Sequence, residues 1–321
     1  MPLNPEPHLI LAPMRGLTDA VYRSVYATHF GGVDAAVAPF VVTVQGKVTA
    51  RLLKDLLPAH NQRLPIEPQI LGNSAEDFVR LADALGQMGY TRVNWNLGCP
   101  FPMVANKGRG CGLLPHPDRI QEFLDAVVPR IGLRLSIKTR LGRYHAAEID
   151  NLLPIFNAHP LSCLIVHPRT GVQMYAGEPD LEAFARCLAQ SRHPVVYNGD
   201  IVSTTAFQDY RARFGAVRRW MLGRGVLANP FLPALILGIA VPEDRLGALR
   251  AFHEDLVAAY GQRLSGPGHL VDRMKGLWRY LSRSLSDGDR HWKRIRRARG
   301  WDAYRRTVAP ILEGGATWTA D

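Results

Sequence analysis

The chain has 321 residues, 47% hydrophobic and 21% charged, room for one large domain and a small one with ample buried core. No stretch approaches the roughly 20 apolar residues that span a bilayer, and Met1-Pro2-Leu3-Asn4-Pro5-Glu6-Pro7 lacks the regions of a signal peptide, so a cytoplasmic protein without membrane contact is expected. The four cysteines (Cys99, Cys111, Cys163, Cys187) form no Cys-x-x-Cys pair, which argues against a zinc ribbon or disulfide framework, and a net charge of +11 points to a polyanionic partner.

Taken in order, residues 8–13 read as a short buried strand ending in Ala12-Pro13-Met14-Arg15-Gly16, and Thr18-Asp19 as the N-cap of a helix over 20–30. A second strand (35–40) follows Gly31-Gly32, and helical sequence around 49–57 leads to a third (66–71), stopped by Gly72. Ser74 with Asp77 opens a helix to about Met88, a capping-box-like arrangement with Asp in place of Glu. The fourth strand carries Asn96 and breaks at Gly98-Cys99-Pro100; a glycine-rich loop (106–112) and a helix (117–128) come next. Further strands fall at 134–139, 163–167, 194–198 and 218–222, separated by helical patterns around 146–157, 181–190 and 204–214.

Short apolar strands alternating with amphipathic helices predict a parallel sheet covered on both faces, and about eight such units in roughly 230 residues fit an α/β TIM (β/α)8 barrel. No Gly-x-Gly-x-x-Gly follows the first strand, which disfavours a doubly wound sheet. After Pro230 the strands stop, and from about Pro242 the pattern is helical over 245–264 and 270–284, with Gly266-Pro267-Gly268 as the break. The expected division is a barrel over 1–240 and a small C-terminal helical domain over 241–321. Between Arg290 and Arg306 lie eight basic residues (Arg290, Lys293, Arg294, Arg296, Arg297, Arg299, Arg305, Arg306) against one acid, Asp302, with Trp292 and Trp301 interleaved. Nucleic-acid contact is the expected role; a solvated helix face with its aromatics in a core is the plainer one.

Distinctive polar residues gather at the strands' C-terminal ends: Met14, Gln69, Asn96 and Cys99, Lys138, His167, Asn198, and Gly223-Arg224-Gly225. In a barrel these tips open onto one face, where active sites are built. The set suits a flavin mononucleotide (FMN). Gln69 and Asn96 offer amide partners to the ring, Lys138 brings positive charge to its electron-rich edge, and Asn198-Gly199-Asp200 with 223–225 match the usual phosphate position. Each signal alone has a plainer reading. Gly-Arg-Gly is often only a turn, a strand-end lysine is usually solvated, and Lys138 is also open to Schiff-base chemistry.

At the fourth tip, Gly98 is expected to free the backbone and Pro100 to stop a helix, lifting the Cys99 thiol clear of the scaffold; a buried structural cysteine is the alternative. Asn96-Leu97-Gly98-Cys99-Pro100 resembles the Asn-x-Gly-Cys-Pro signature of the dihydrouridine synthases, flavoenzymes that reduce uridines in tRNA. Companion motifs occur in the same order: Ala12-Pro13-Met14, Gln69, Lys138-Thr139-Arg140-Leu141-Gly142, His167-Pro168-Arg169-Thr170 with Gln173 and Tyr175, Asn198-Gly199-Asp200-Ile201 and Gly223-Arg224-Gly225. Arg273-Met274-Lys275 through Tyr280-Leu281 is similar to the helical domain of the family's bacterial C-type branch. Arg15 stands where an acid is common, Pro168 replaces a glycine, and Asn94 sits where aspartate is frequent, departures that bear on pocket geometry and target uridine.

The resemblance implies reduction of the uracil C5–C6 bond, with NADPH (or NADH) reducing FMN, hydride passing to C6 and a proton from Cys99 to C5. It assigns cofactor contacts to Pro13, Met14, Arg15, Gln69, Asn96, Lys138, His167, Asn198, Gly199, Asp200, Gly223 and Arg224, and substrate contacts to Arg169, Lys275, Arg294, Arg296 and Arg297. His167 and Arg169 hold flavin phosphate or uracil carbonyls, unless His167 only caps its strand; Cys111 is expected to be structural or incidental, and no metal site is expected. The partner is tRNA, bound by a monomer, with the target base extruded at a cost of a few kcal/mol. Two rivals remain: another FMN barrel of the dihydroorotate dehydrogenase type, and a non-catalytic tRNA-binding protein whose barrel is vestigial.

Overall fold

The computed structural model describes residues 6–43 and 45–320; Met1–Pro5, read above for a targeting signal, lie outside the described residues. The parallel strands are β1 (His8–Leu11), β2 (Ala35–Val37), β3 (Val41–Val42), β4 (Ile66–Glu67), β5 (Gln69–Leu71), β6 (Arg92–Leu97), β7 (Arg134–Gly142), β8 (Leu164–Thr170), β9 (Val195–Tyr197) and β10 (Arg219–Leu222). Their order is β3-β5-β6-β7-β8-β9-β10-β1-β2-β4.

The two ends of that order meet. Only Pro68 separates β4 from β5, and its ring removes one ladder N–H. Its carbonyl still accepts from the Asn94 amide at 2.8 Å, while β4 pairs with β2 and β5 with β6. The sheet therefore curls shut as an eight-stranded TIM barrel. The expected strand at 35–40 stops at Val37, with β3 following just beyond its expected end, and the expected strand at 66–71 is interrupted at Pro68.

Strand alternation explains what faces where. In β6, Val93, Trp95 and Leu97 face the helices, and Trp95 stacks on Phe123 at 4.0 Å while its Nε1 donates to the Gly72 carbonyl at 3.0 Å. The intervening Asn94 and Asn96 turn into the barrel. The lumen is thus divided by chemistry. Ile10, Ala12, Val37, Ile165, Val196 and Met221 make an apolar half. Facing them, Glu67, Gln69, Asn94, Asn96 and Ser136 form one continuous set of hydrogen bonds from β4, β5, β6 and β7. Helix starts match the sequence: Asp19, Ser74, Asp180 and Ser203 each accept a backbone N–H in the first turn, a contribution of about 1 kcal/mol apiece.

Beyond β10 the chain is helical from Arg224 on, earlier than Pro242, through short helices at Arg224–Ala228 and Leu232–Ile236. Longer ones follow at Arg245–Arg263, Pro267–Leu281, Gly288–Ile295 and Gly300–Pro310. Pro267 starts a helix rather than belonging to the break, because a proline at the first position forfeits no intrahelical bond; Gly266, at φ 86°, makes the turn. This region packs on the barrel's first helix, Ala20–His29, where Phe252 meets Phe30, the residue that ends the helix, at 4.9 Å. Among the described residues no helix is long and apolar enough to cross a membrane.

Candidate functional site

A cleft opens at the C-terminal mouth of the barrel. Pro13, Met14, Asn96, Cys99, Lys138, His167, Asn198, Gly199, Asp200, Gly223 and Arg224 all line it, so residues far apart in sequence converge as the strand ends suggested. Arg140 and Tyr175 line it too.

The Cys99 turn is held by a side chain rather than by glycine freedom. Asn96 Oδ1 accepts the backbone N–H groups of Gly98 at 3.1 Å and Cys99 at 2.9 Å. Gly98 lies close against β7, where a Cβ would meet the Thr139 carbonyl carbon at 3.3 Å, a tight contact that a shift of a few tenths of an ångström would relieve. The turn does not lift the thiol clear: Cys99 is 7% exposed, because Gly110 and Cys111 pack over it. Burial pushes its pKa up, against weaker pulls from the Phe101 backbone, Arg140, Lys138 and Arg15. The thiol is therefore protonated at neutral pH.

Positive charge dominates the cleft. Lys138 is half-buried and its side chain forms no hydrogen bond or ion pair with a described residue; burial, then the Arg140 charge, pulls its ammonium down to about 7. Arg140 is buried, donating to the carbonyls of Gly98 at 3.0 Å and Thr170 at 2.7 Å, and so fastens the cysteine turn to the end of β8. Tyr175 lies between the Arg140 and Arg224 guanidinium groups, 5.3 and 5.1 Å from its ring centre. Asp200 accepts from both Arg169 and Arg224. Burial alone would raise its carboxyl, but these two arginines win and hold it below the usual range. His167 is buried, and burial with the surrounding cations lowers its pKa well below the ordinary value. Its Nε2 accepts from Arg169 at 3.2 Å, which leaves the proton on Nδ1.

Some sequence-assigned residues stand elsewhere. Gln69 is fully buried behind Asn96: its Nε2 donates to Asn94 Oδ1 and its Oε1 accepts from Asn96 Nδ2, both at 2.7 Å. Arg169 is buried and spends its donors on Ala176, Gly177, Asp200 and His167, because it closes the loop after β8. Arg15 is exposed and lies over Phe40 at 5.6 Å, outside the cleft lining. Lys275 donates to the Ala298 carbonyl. Arg294, Arg296 and Arg297 are exposed, while Trp292 and Trp301 pack partly against the core. Arg140 and Tyr175 were missed as site residues; the signal was there for Arg140, since alternation puts 138 and 140 on one strand face.

The donor set fits a flat, anionic cofactor. The half-buried Lys138 amine has no side-chain partner among the described residues and would be charged beside an anion, and Arg224 adds charge that Asp200 only partly offsets. Gly225 keeps backbone at the wall, because a Cβ there would fall 2.1 Å from the Ile201 carbonyl oxygen. Asn96 retains one amide hydrogen beyond its bond to Gln69.

Solved structures share this fold at low identity. Morphinone reductase in complex with tetrahydroNAD matches with TM-score 0.52 at 11% identity over 76% of this chain and 90% of its own. Histamine dehydrogenase from Rhizobium matches with TM-score 0.56 at 11% identity, over 84% of this chain and 48% of its own. Among curated proteins, a probable tRNA-dihydrouridine synthase of Rhodobacter capsulatus is 28% identical over 82% of this chain and 83% of its own length. One of Staphylococcus aureus is 30% identical over 71% of this chain and 70% of its own. The dihydrouridine synthase family model matches residues 10–252, a span that holds every residue lining the cleft, and the chain belongs to that family.

Proposed function

We propose that this chain is a tRNA-dihydrouridine synthase that reduces the C5–C6 bond of specific uridines, with FMN in the cleft and NADPH (or NADH) as reductant. The observation that carries the reading is the buried Cys99 thiol in the same cleft as the Lys138 amine, which has no hydrogen-bond or ion-pair partner among the described residues. Bound there, reduced FMN would supply the hydride that C6 takes up. Cys99 then gives its proton to C5 and recovers one from solvent at the mouth. Lys138 balances negative charge on the ring, and Arg224, aimed by Asp200, takes the phosphate beside Gly199 and Gly225. Neutral His167 offers a donor that carries no charge of its own.

The division of labour follows the chain: residues 1–240 hold the cofactor and residues 241–321 hold tRNA. Arg294, Arg296 and Arg297, exposed on the helical region, meet phosphates. The working form is a monomer in the cytoplasm. The test is incubation with NADPH and an unmodified tRNA transcript, followed by mass spectrometry of its nucleosides. A gain of two hydrogens on a uridine is expected. Reduction of free uracil or orotate instead would point to a small-pyrimidine enzyme.

A further inference from the structure

The polar half of the lumen is one directed chain of hydrogen bonds running the length of the barrel. It begins at the cleft, where the Gly98 and Cys99 amides donate to Asn96 Oδ1. Asn96 donates to Gln69 and Gln69 to Asn94, both at 2.7 Å. Asn94 Nδ2 donates to Ser136 Oγ at 2.6 Å, and the Ser136 hydroxyl donates to Glu67 Oε1 at 2.6 Å. Gln69, Asn94 and Ser136 are fully buried, and Asn96 is 7% exposed.

The ends of this chain fix its direction. Two backbone N–H groups can only donate, so Asn96 must show them its oxygen; at the other end Glu67 Oε1 accepts from the Ser136 hydroxyl, so the last donor faces Glu67. Between these ends each amide has one orientation that satisfies both neighbours. An inverted amide would set two N–H groups or two oxygens against each other in a space closed to water. Glu67 lies on β4, beside arginines at the first positions of other strands, Arg92, Arg134 and Arg219. Burial raises its carboxyl, and the Ser136 bond and these arginines oppose the rise.

We propose that Ser136, one inward-facing position below Lys138 on β7, and Glu67, deeper in the barrel on β4, are positioning residues that lock Asn96 and thereby seat the Cys99 turn. The proposal deepens the functional reading above and rests on it for the importance of that turn, but the geometry it asserts is independent of turnover. The Cys99 thiol itself reports the geometry. In full-length protein, alkylation of each cysteine by iodoacetamide is followed by peptide mass spectrometry, with Cys187 as the internal control, since it is buried in the outer helix Leu181–Gln190.

Ser136→Ala removes the acceptor for Asn94 and the donor to Glu67 with little change of volume. Cys99 alkylation should rise at least fivefold while Cys187 stays within twofold of wild type. Glu67→Leu should act alike, and Glu67→Gln, which keeps an acceptor for Ser136, should stay within twofold at both cysteines. An unchanged Cys99 rate in Ser136→Ala overturns the proposal, as does a parallel rise at Cys187, which would mean general loosening. A selective rise at Cys99 in a protein whose wild type reduces no uridine would uphold the positioning and sink the functional reading.

Discussion

Gly110 lies so close to Cys99 that a Cβ on it would fall 2.7 Å from the Cys99 carbonyl oxygen and 2.9 Å from the Cys99 Cβ, and its φ of +56° also disfavours a side chain. Gly110→Ala must therefore push the cysteine turn aside as well as strain its own backbone, which alone costs about 1 kcal/mol. Turnover is expected to fall at least tenfold, with a loss of a few degrees in melting temperature. Full activity at wild-type stability would show that the turn tolerates displacement.

On the proposed mechanism Cys99 acts in its protonated form, and burial raises its pKa above the ordinary 9.0, so the rate of uridine reduction should hold through neutral pH and decline only above about pH 9. Cys99→Ala should bind FMN normally and lose turnover. Single-turnover rates against pH check both statements; a decline centred near neutrality would assign the proton to another group.

Lys138 gives stability a distinct pH dependence. Its folded pKa of about 7 lies below the ordinary 10.5, so between these values the unfolded chain holds a proton that the folded chain lacks. Stability without cofactor must then rise with pH across that window, and below it the penalty is constant. Lys138→Met should remove on the order of 1–2 kcal/mol of the gain between about pH 7 and 9. Denaturant midpoints for the two proteins at each pH would decide; identical pH dependence would count against the shift.

Asp19 joins the barrel to the helical region. It caps the helix Ala20–His29, and it accepts from Arg273 at 2.6 Å and Tyr260 at 2.8 Å. Arg273→Ala should cost about 1–2 kcal/mol, and Asp19→Ala about 1 kcal/mol more through the lost cap. The double variant should fall short of the sum, because the two residues share a bond. Additive losses would mean that they act separately.

Replacing Arg294, Arg296 and Arg297 together by alanine should leave FMN binding unchanged and flatten the dependence of log tRNA affinity on log salt by about 2–3. Filter binding across a salt series reads this directly. An unaltered slope would move the RNA surface elsewhere.

Much of this was legible in the sequence because it is local. Ser74 and Asp19 announce helix starts through their own side chains, and Asn96, Cys99 and Lys138 sit where apolar strands end. What escaped depends on neighbours distant in the chain. Cys99 is buried because Gly110 returns over it, and Arg169 turns inward because Ala176 and Gly177 offer carbonyls. The expected strand over 66–71 runs through Pro68, which instead marks the seam at which the barrel closes. Ser136 and Glu67 look like ordinary strand residues until the lumen face of each strand is known.

The most direct test of uridine reduction is anaerobic. With its flavin photoreduced, the protein is mixed with unmodified tRNA transcript and reoxidation is followed by absorbance. Rapid reoxidation by wild type, lost in Cys99→Ala although the flavin stays bound, is the predicted result. Flavin that remains reduced with every tRNA, or a wild-type rate in Cys99→Ala, would contradict it.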